Sequence, residues 1–259
     1  MELIFYKYQG TGNDFIIMDN RGGDITLATK QVKDLCDRKF GIGADGLMLL
    51  QTIDGYDFEM KYYNADGRES SMCGNGGRCL TQFAFDNGIQ KEKYVFLAVD
   101  GPHEAFFSDG WVHLKMKDVE KVENVEGDYV LNTGSPHFVK QVMNVMSMDV
   151  YAKGHEIRYS DDFKAEGINV NFVEIKDEDE IIVRTYERGV ENETLSCGTG
   201  VTASALIFAH NDLGFNRVEV STPGGKLAVE FDKKGEGIFE NIWLCGPATF
   251  VFKGLVNVN

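Results

Sequence analysis

Long apolar runs are missing from this sequence. No stretch approaches the roughly 18 residues that a membrane-spanning helix needs. The opening MELIFYKYQGTGNDF is broken by charge at once, so it reads as neither a secretory leader nor a membrane span. Positive charge is scarce: 26 lysines and arginines face 41 aspartates and glutamates, a net charge of −15. Such a surface repels phosphate backbones and anionic membranes, so neither nucleic acid nor a membrane is an expected partner. A small anionic substrate would need a local site that overcomes the general field. Paired cysteine motifs are missing too. Cys36, Cys73, Cys79, Cys197 and Cys245 are odd in number and widely spread, with no CxxC. That argues against a disulfide framework, a zinc knuckle or a thioredoxin-type site. The expected compartment is the cytoplasm.

What is present is the composition of a soluble globular protein, with 43% hydrophobic and 26% charged residues among 259. This length fits one large domain or two of ordinary size. The chain also repeats itself. With Cys73 placed over Cys197, MKYYNADGRESSMC (60–73) lies over RTYERGVENETLSC (184–197). Both begin as a strand reaching tyrosine, turn through an acidic loop with a glycine, and carry a glutamate (Glu69, Glu193) four residues before the cysteine. Both then run into Cys-Gly-x-Gly. GNGGRCLTQFAF and GTGVTASALIFA follow, each a glycine turn leading into a nearly uncharged stretch of helical length. After Gly88 and Gly214 the strand alternation of a hairpin resumes in each half.

The first of these helices carries only Arg78 between Gly74 and Phe85, and the second has no charge from Val201 to Ala209. A helix that is apolar nearly all round must be enclosed. The expected fold class is therefore α+β, with two pseudo-symmetric lobes, each a curved mixed or antiparallel sheet wrapped around a central helix. The charged stretch near residues 116–126 marks the expected boundary, before a strand at Tyr129. This gives an N-terminal lobe of residues 1–117, joined by a last strand at about 247–259, and a C-terminal lobe of 118–246. The active site is expected in a cleft between them.

Cys73 and Cys197 each stand just before the glycines that open a helix. Backbone N–H groups and the helix dipole favour negative charge there, biasing a thiol toward thiolate and offering a seat for a carboxylate. If two such cysteines faced one carbon, one thiolate would remove an α-proton and the opposite thiol would return a proton to the other face. Donors on the adjacent carboxylate would stabilise the charge that builds up. A lone cysteine is more often a small buried hydrophobe, and Cys36, Cys79 and Cys245 are read that way. Cys73 and Cys197 differ because they recur at the same place in the repeat.

At these residues the sequence resembles the diaminopimelate epimerases. The resemblance runs along essentially the whole chain: KYQGTGNDF (7–15), GIGADG (41–46), YNADGRESSMCGNGGRC (63–79), GSPH (134–137), NVNFVE (169–174), YERGVENETLSCGTG (186–200), STPGG (221–225) and GPA (246–248). It implies conversion of LL-2,6-diaminopimelate to the meso form, with no pyridoxal phosphate or other cofactor and no metal. The pathway implied leads to lysine and peptidoglycan. By the same resemblance Cys73 is the proton acceptor for the LL substrate and Cys197 the donor, with Glu187 and His137 supporting catalysis. Asn13, Asn64, Asn169, Glu187 and Arg188 match substrate-binding positions. Gly74, Asn75, Gly198 and Thr199 match the cradle of the reacting carboxylate. A homodimer is implied as well. His103, His113, His155 and His210 match nothing.

Four positions depart from the family pattern. Ser135 stands where asparagine is common, which leaves a shorter reach toward a distal substrate group. Gly46 stands where some members have glutamine. The loop Val190–Glu193 is one residue longer than usual, and Phe252 lies near a tyrosine linked to dimer contacts. Other readings stay open: a two-cysteine racemase or epimerase acting on another amino acid such as proline, a redox protein whose two thiols form a disulfide, or a non-catalytic binding module.

Overall fold

The computed structural model describes residues 1–208 and 213–258, so Ala209 and His210 lie outside the described residues. The chain divides into two units, Met1–Leu114 with Pro247–Asn259, and Lys115–Gly246.

In the first unit, β1 (Glu2–Gly10) pairs antiparallel with β2 (Asn13–Asp19) and with β17 (Thr249–Asn257). β2 runs parallel to β3 (Gly46–Gln51), which is antiparallel to β4 (Glu59–Asn64). β4 touches β5 (Lys93–Ala98) in parallel, and β5, β6 (Gly101–Ser108) and β7 (Trp111–Lys115) form an antiparallel meander. Helix α1 (Thr29–Cys36) connects β2 to β3, and α2 (Gly74–Asp86) connects β4 to β5. The strands FIIM and LMLL are apolar without alternation because the sheet is covered on both faces. Ile16, Met18, Leu47 and Leu49 cluster with Val32 and Leu35 of α1. On the α2 side, a Cβ at Gly76 would meet Met48 and Met60 at 3.5 Å and Phe15 at 3.6 Å.

The second unit repeats this plan. β8 (Val122–Val125) pairs with β9 (Asp128–Asn132), and β9 with β10 (Pro136–Gln141), both antiparallel. β10 runs parallel to β11 (Asn169–Asp177), which is antiparallel to β12 (Glu180–Glu187). The short β13 (Asn192–Thr194) folds back on β12, and β12 runs parallel to β14 (Gly214–Thr222). β14, β15 (Gly225–Gly235) and β16 (Ile238–Gly246) close the sheet as a second meander. Helix α3 (Val150–Arg158) lies between β10 and β11, and α4 (Gly198–Phe208) follows β13. Strand for strand, β17-β1-β2-β3-β4-β5-β6-β7 corresponds to β8-β9-β10-β11-β12-β14-β15-β16, with parallel contacts at the same two places.

Each unit is thus a mixed sheet around an enclosed helix, the α+β arrangement that the uncharged helices require. α2 packs on β1, β2, β3 and β17, and ten of its thirteen residues are buried. α4 packs on strands from β9 to β16, and eight of its eleven are buried. Two details differ from the sequence reading. The expected hairpins after Gly88 and Gly214 are three-stranded meanders. The charged stretch before Tyr129 also contains a strand, β8, because Glu126 and Gly127 (φ 55° and 91°) form a two-residue turn that pairs Val125 with Asp128. Among the described residues no helix is long and apolar enough to cross a membrane.

Candidate active site

The two units carry the same local construction. In the first, β4 reaches Tyr63, turns, and returns with Glu69 bridged to Tyr63; Cys73 and α2 follow. In the second, β12 reaches Tyr186, turns, and returns with Glu193 opposite Tyr186; Cys197 and α4 follow. The additional residue of the second loop is absorbed by a turn in which Gly189 and Glu191 take positive φ (89° and 55°). Glu193 is held there by Arg184 through paired bonds of 2.6 and 2.7 Å.

Both cysteines sit at the N-cap. The Cys73 carbonyl accepts from the Gly77 N–H at 2.7 Å, and the Cys197 carbonyl from the Val201 N–H at 2.8 Å. The first N–H groups of each helix, from Gly74 and Asn75 and from Gly198 and Thr199, therefore point away from the helical ladder and toward the thiol end. None of the five cysteines is joined in a disulfide. Cys36 and Cys79 are buried, and burial pushes each thiol up to about 12, which leaves them inert.

Around Cys73 the β1–β2 turn closes in. Thr11 (φ 50°) and Gly12 (φ 84°) make a two-residue turn that pairs Gly10 with Asn13. A β-branched residue in this conformation is strained by roughly 1–3 kcal/mol. Contacts from α2 hold it: Arg78, fully buried, donates to Thr11 Oγ1 and to Asn75 Oδ1, both at 3.1 Å. Asn13 Oδ1 lies 3.7 Å from Cys73 Sγ and 3.5 Å from Asn75 Nδ2. Asn13 Nδ2 donates to Asp45 at 2.5 Å. Behind them stands an ionic cluster in which Arg38 grips Asp14 with bonds of 2.6 and 3.1 Å and reaches Asp45 at 2.7 Å. Lys7 meets Asp14 at 2.6 Å. Burial pushes the Asp14 carboxyl up, but the bonds from Arg38 and Lys7 outweigh it and bring Asp14 to about 2. Asn64 is exposed at the end of β4, opposite Gly46. Gly46 has no room for a longer residue: a Cβ there would lie 2.5 Å from the Tyr62 ring and 2.6 Å from the Tyr63 carbonyl.

Around Cys197 the partners come from β9 to β12. Cys197 Sγ lies 3.5 Å from Thr199 Oγ1, and the Thr199 carbonyl accepts from Thr133 Oγ1 at 2.8 Å. This ties the β9–β10 turn, which carries Ser135, to the start of α4. Ser135 Oγ accepts from Asn169 Nδ2 at 3.0 Å and from Arg188 Nη2 at 3.5 Å, while Asn169 Oδ1 accepts the Arg188 N–H at 2.8 Å. The Arg188 guanidinium also donates to the Glu166 and Gly167 carbonyls at 3.0 and 3.4 Å. Among the described residues its acceptors are all neutral, so these bonds orient its charge without cancelling it. Glu187 accepts from Thr194 Oγ1 at 3.0 Å. His137 is fully buried, and Asn171 Nδ2 lies 3.0 Å from its Nδ1. Burial, and then the charge of Arg188, lower its pKa to about 3, so the ring is neutral.

The residues expected from the sequence therefore gather in two sets. Asn13, Gly74 and Asn75 surround Cys73, with Asn64 on a neighbouring strand end. Gly198 and Thr199 adjoin Cys197, while Ser135, Asn169 and Arg188 are linked to one another and His137 and Glu187 stand on the same strands. Reasoning from sequence missed Thr11, Asp45, Arg78, Thr133 and Asn171. Arg78 had a signal, as the sole charge between Gly74 and Phe85. Asn171 had one too, as a polar residue between Val170 and Phe172, two places from Asn169.

The sequence profile of the diaminopimelate epimerase family matches residues 5–122 and again residues 129–251. The diaminopimelate epimerase of Flavobacterium psychrophilum is 50% identical over 255 residues, covering 96% of this chain and 98% of its own. That of Chlorobaculum tepidum is 40% identical over 260 residues, covering 96% and 99%. Among solved structures, a phenazine biosynthesis protein of the PhzF family from Bacillus anthracis superposes with TM-score 0.79 at 14% identity, with complete coverage of both chains. A hydroxyproline epimerase from Agrobacterium vitis superposes with TM-score 0.68 at 14% identity, covering 98% of this chain and 92% of that one. The two structures share the fold. The profile and the relatives go further, and by them this chain belongs to the diaminopimelate epimerase family of isomerases.

Proposed function

We propose that the protein converts LL-2,6-diaminopimelate to the meso isomer by proton transfer between two cysteines, without a cofactor, in the biosynthesis of lysine and peptidoglycan. The observation that carries this reading is the duplication of one construction, an N-cap cysteine on an enclosed helix in each unit, within a chain of this family. The reading requires both half-sites to act on one substrate molecule. Cys73, as thiolate, takes the α-proton from one face, and the Cys197 thiol delivers its proton to the other. The carbon inverts, the two sulfurs exchange protonation states, and the reverse reaction exchanges their roles. Only the state with one thiolate and one thiol is productive, so the two titrations are coupled. The N–H groups of Gly74, Asn75, Gly198 and Thr199 hold the adjacent carboxylate and stabilise the charge that builds as the proton leaves. Arg188, with its charge uncancelled, takes the distal carboxylate, and Asn13, Asn64, Asn169 and Ser135 bind the remaining polar groups. Glu187 faces the substrate ammonium, and the neutral His137 supports the cysteines.

The proposed working form is a cytoplasmic homodimer. The exposed Phe250, Val251, Phe252 and Leu255 of β17 support an apolar contact between copies. Neither nucleic acid nor a membrane takes part.

Proton NMR in deuterated water with LL-diaminopimelate tests the reaction. The reduced protein is expected to place deuterium at one α-carbon and to form the meso isomer, with both lost in Cys73→Ala and Cys197→Ala. Absence of α-proton exchange with the reduced wild-type protein, or turnover of proline in its place, would overturn the assignment.

A further inference from the structure

Asn13 stands between two groups that demand opposite ends of its amide. Its Nδ2 lies 2.5 Å from Asp45 Oδ2, and its Oδ1 lies 3.7 Å from Cys73 Sγ. An ionised carboxylate only accepts hydrogen bonds, so the amide nitrogen must face Asp45 and the oxygen must face the sulfur. The other side of the site accommodates the same orientation without fixing it. Arg78, which only donates, occupies Asn75 Oδ1 at 3.1 Å and leaves Asn75 Nδ2 to face Asn13 Oδ1 at 3.5 Å. Asp45 is itself fixed: Oδ1 accepts from Arg38 at 2.7 Å, Oδ2 from the Asp14 N–H at 3.2 Å, and its own N–H donates to the Asp14 carbonyl at 2.9 Å.

We propose that Asp45 is a positioning residue for Cys73: through Asn13 it holds a hydrogen-bond acceptor against the sulfur and keeps it a proton-bearing thiol until a substrate group takes the Asn13 oxygen. An acceptor beside sulfur favours S–H, whereas a donor would favour S⁻. The ammonium beside the reacting carbon is the kind of group that would compete for that oxygen; the half-exposed sulfur then gives its proton to solvent water and is left as the thiolate that serves as base. This refines the reading of Cys73 given above. The thiol can nevertheless be followed without any turnover, so the two readings fail separately.

The test is the pH dependence of iodoacetamide labelling at Cys73 in the full chain, read by mass spectrometry. In Asp45→Asn the residue at position 45 can donate as well as accept, and the Asn13 amide is released to turn its nitrogen toward the sulfur. The labelling midpoint of Cys73 is expected to fall by roughly one pH unit. The midpoint of Cys197 stays in place, and Cys36 and Cys79 stay unlabelled as reporters of intact folding. An unmoved Cys73 midpoint in a folded Asp45→Asn protein would overturn the proposal. A second measurement needs no variant. In the wild type, nuclear Overhauser contacts from the Asn13 side-chain amide protons are expected to Asp45 and to the Asp14 N–H. Contacts from those protons to the Cys73 methylene instead would overturn it as well.

Discussion

Asn171 fixes the tautomer of His137. Asn171 Nδ2 donates to the Phe138 carbonyl at 3.0 Å, and Oδ1 accepts from Thr185 Oγ1 at 2.9 Å, so the nitrogen is the atom that faces His137 Nδ1. Nδ1 must accept, which places the ring proton on Nε2, and Nε2 is buried with no hydrogen-bond partner among the described residues. A ring that already uses Nδ1 as an acceptor has no place for a second proton.

Stability should therefore fall with acid in a defined window. The folded pKa of His137 is about 3 and the ordinary value 6.5, so between them the unfolded chain binds a proton that the folded chain refuses. The unfolded state binds more protons there, so stability rises with pH across this window and is lost as pH falls through it. The expected loss is on the order of a few kcal/mol. Urea unfolding at a series of pH values measures it, and His137→Gln should flatten this part of the profile. An unchanged slope in that variant would refute the assignment.

Gly200 is the seat of α4 on β11. A Cβ at that position would lie 2.3 Å from Asn171 Oδ1 and 3.3 Å from Thr185 Oγ1. Because Asn171 is pinned by three hydrogen bonds, it has little freedom to give way. Gly200→Ala is expected to cost about 1–3 kcal/mol of stability, the usual range for overpacking. It should also displace Cys197, so activity should fall even where the protein remains folded. Denaturant titration and turnover on the same sample check both effects.

Arg188→Lys preserves charge and discards geometry. The guanidinium spans Glu166, Gly167 and Ser135, three acceptors that a single ammonium has no fork to reach together. Under the proposed function the variant should raise KM for diaminopimelate roughly 10- to 100-fold, with a smaller change in kcat, the signature of lost ground-state binding. Steady-state kinetics would show it, and an unaltered KM would remove Arg188 from the substrate.

Much of this was legible in the sequence because repetition and helix composition are local signals. Cys-Gly-x-Gly at the head of an uncharged helix locates an N-cap thiol with no tertiary information, and its recurrence after 124 residues announces a second unit. The supporting groups were not legible, since their meaning arises only on pairing. Asp45 is an ordinary loop aspartate until β2 and β3 bring it against Asn13, and Thr133 is an ordinary threonine until the β9–β10 turn meets α4. Arg78 reads as a blemish in an apolar helix, yet it is fully buried and bonded to Thr11, 67 positions earlier. The strand count of each meander was also hidden, because alternation identifies strands but not how many lie side by side.

The placement of β17 carries an implication for assembly of the chain on the ribosome. The β1 residues Leu3 and Ile4 find their neighbours in Val256 and Leu255. The whole second unit must be synthesised before the first can complete its sheet. Loop closure over such a span is slow compared with the short-range pairings of β8 to β16. The half that holds Cys197 should therefore mature first, and the pocket of Cys73 should become rigid only once the final strand has left the exit tunnel.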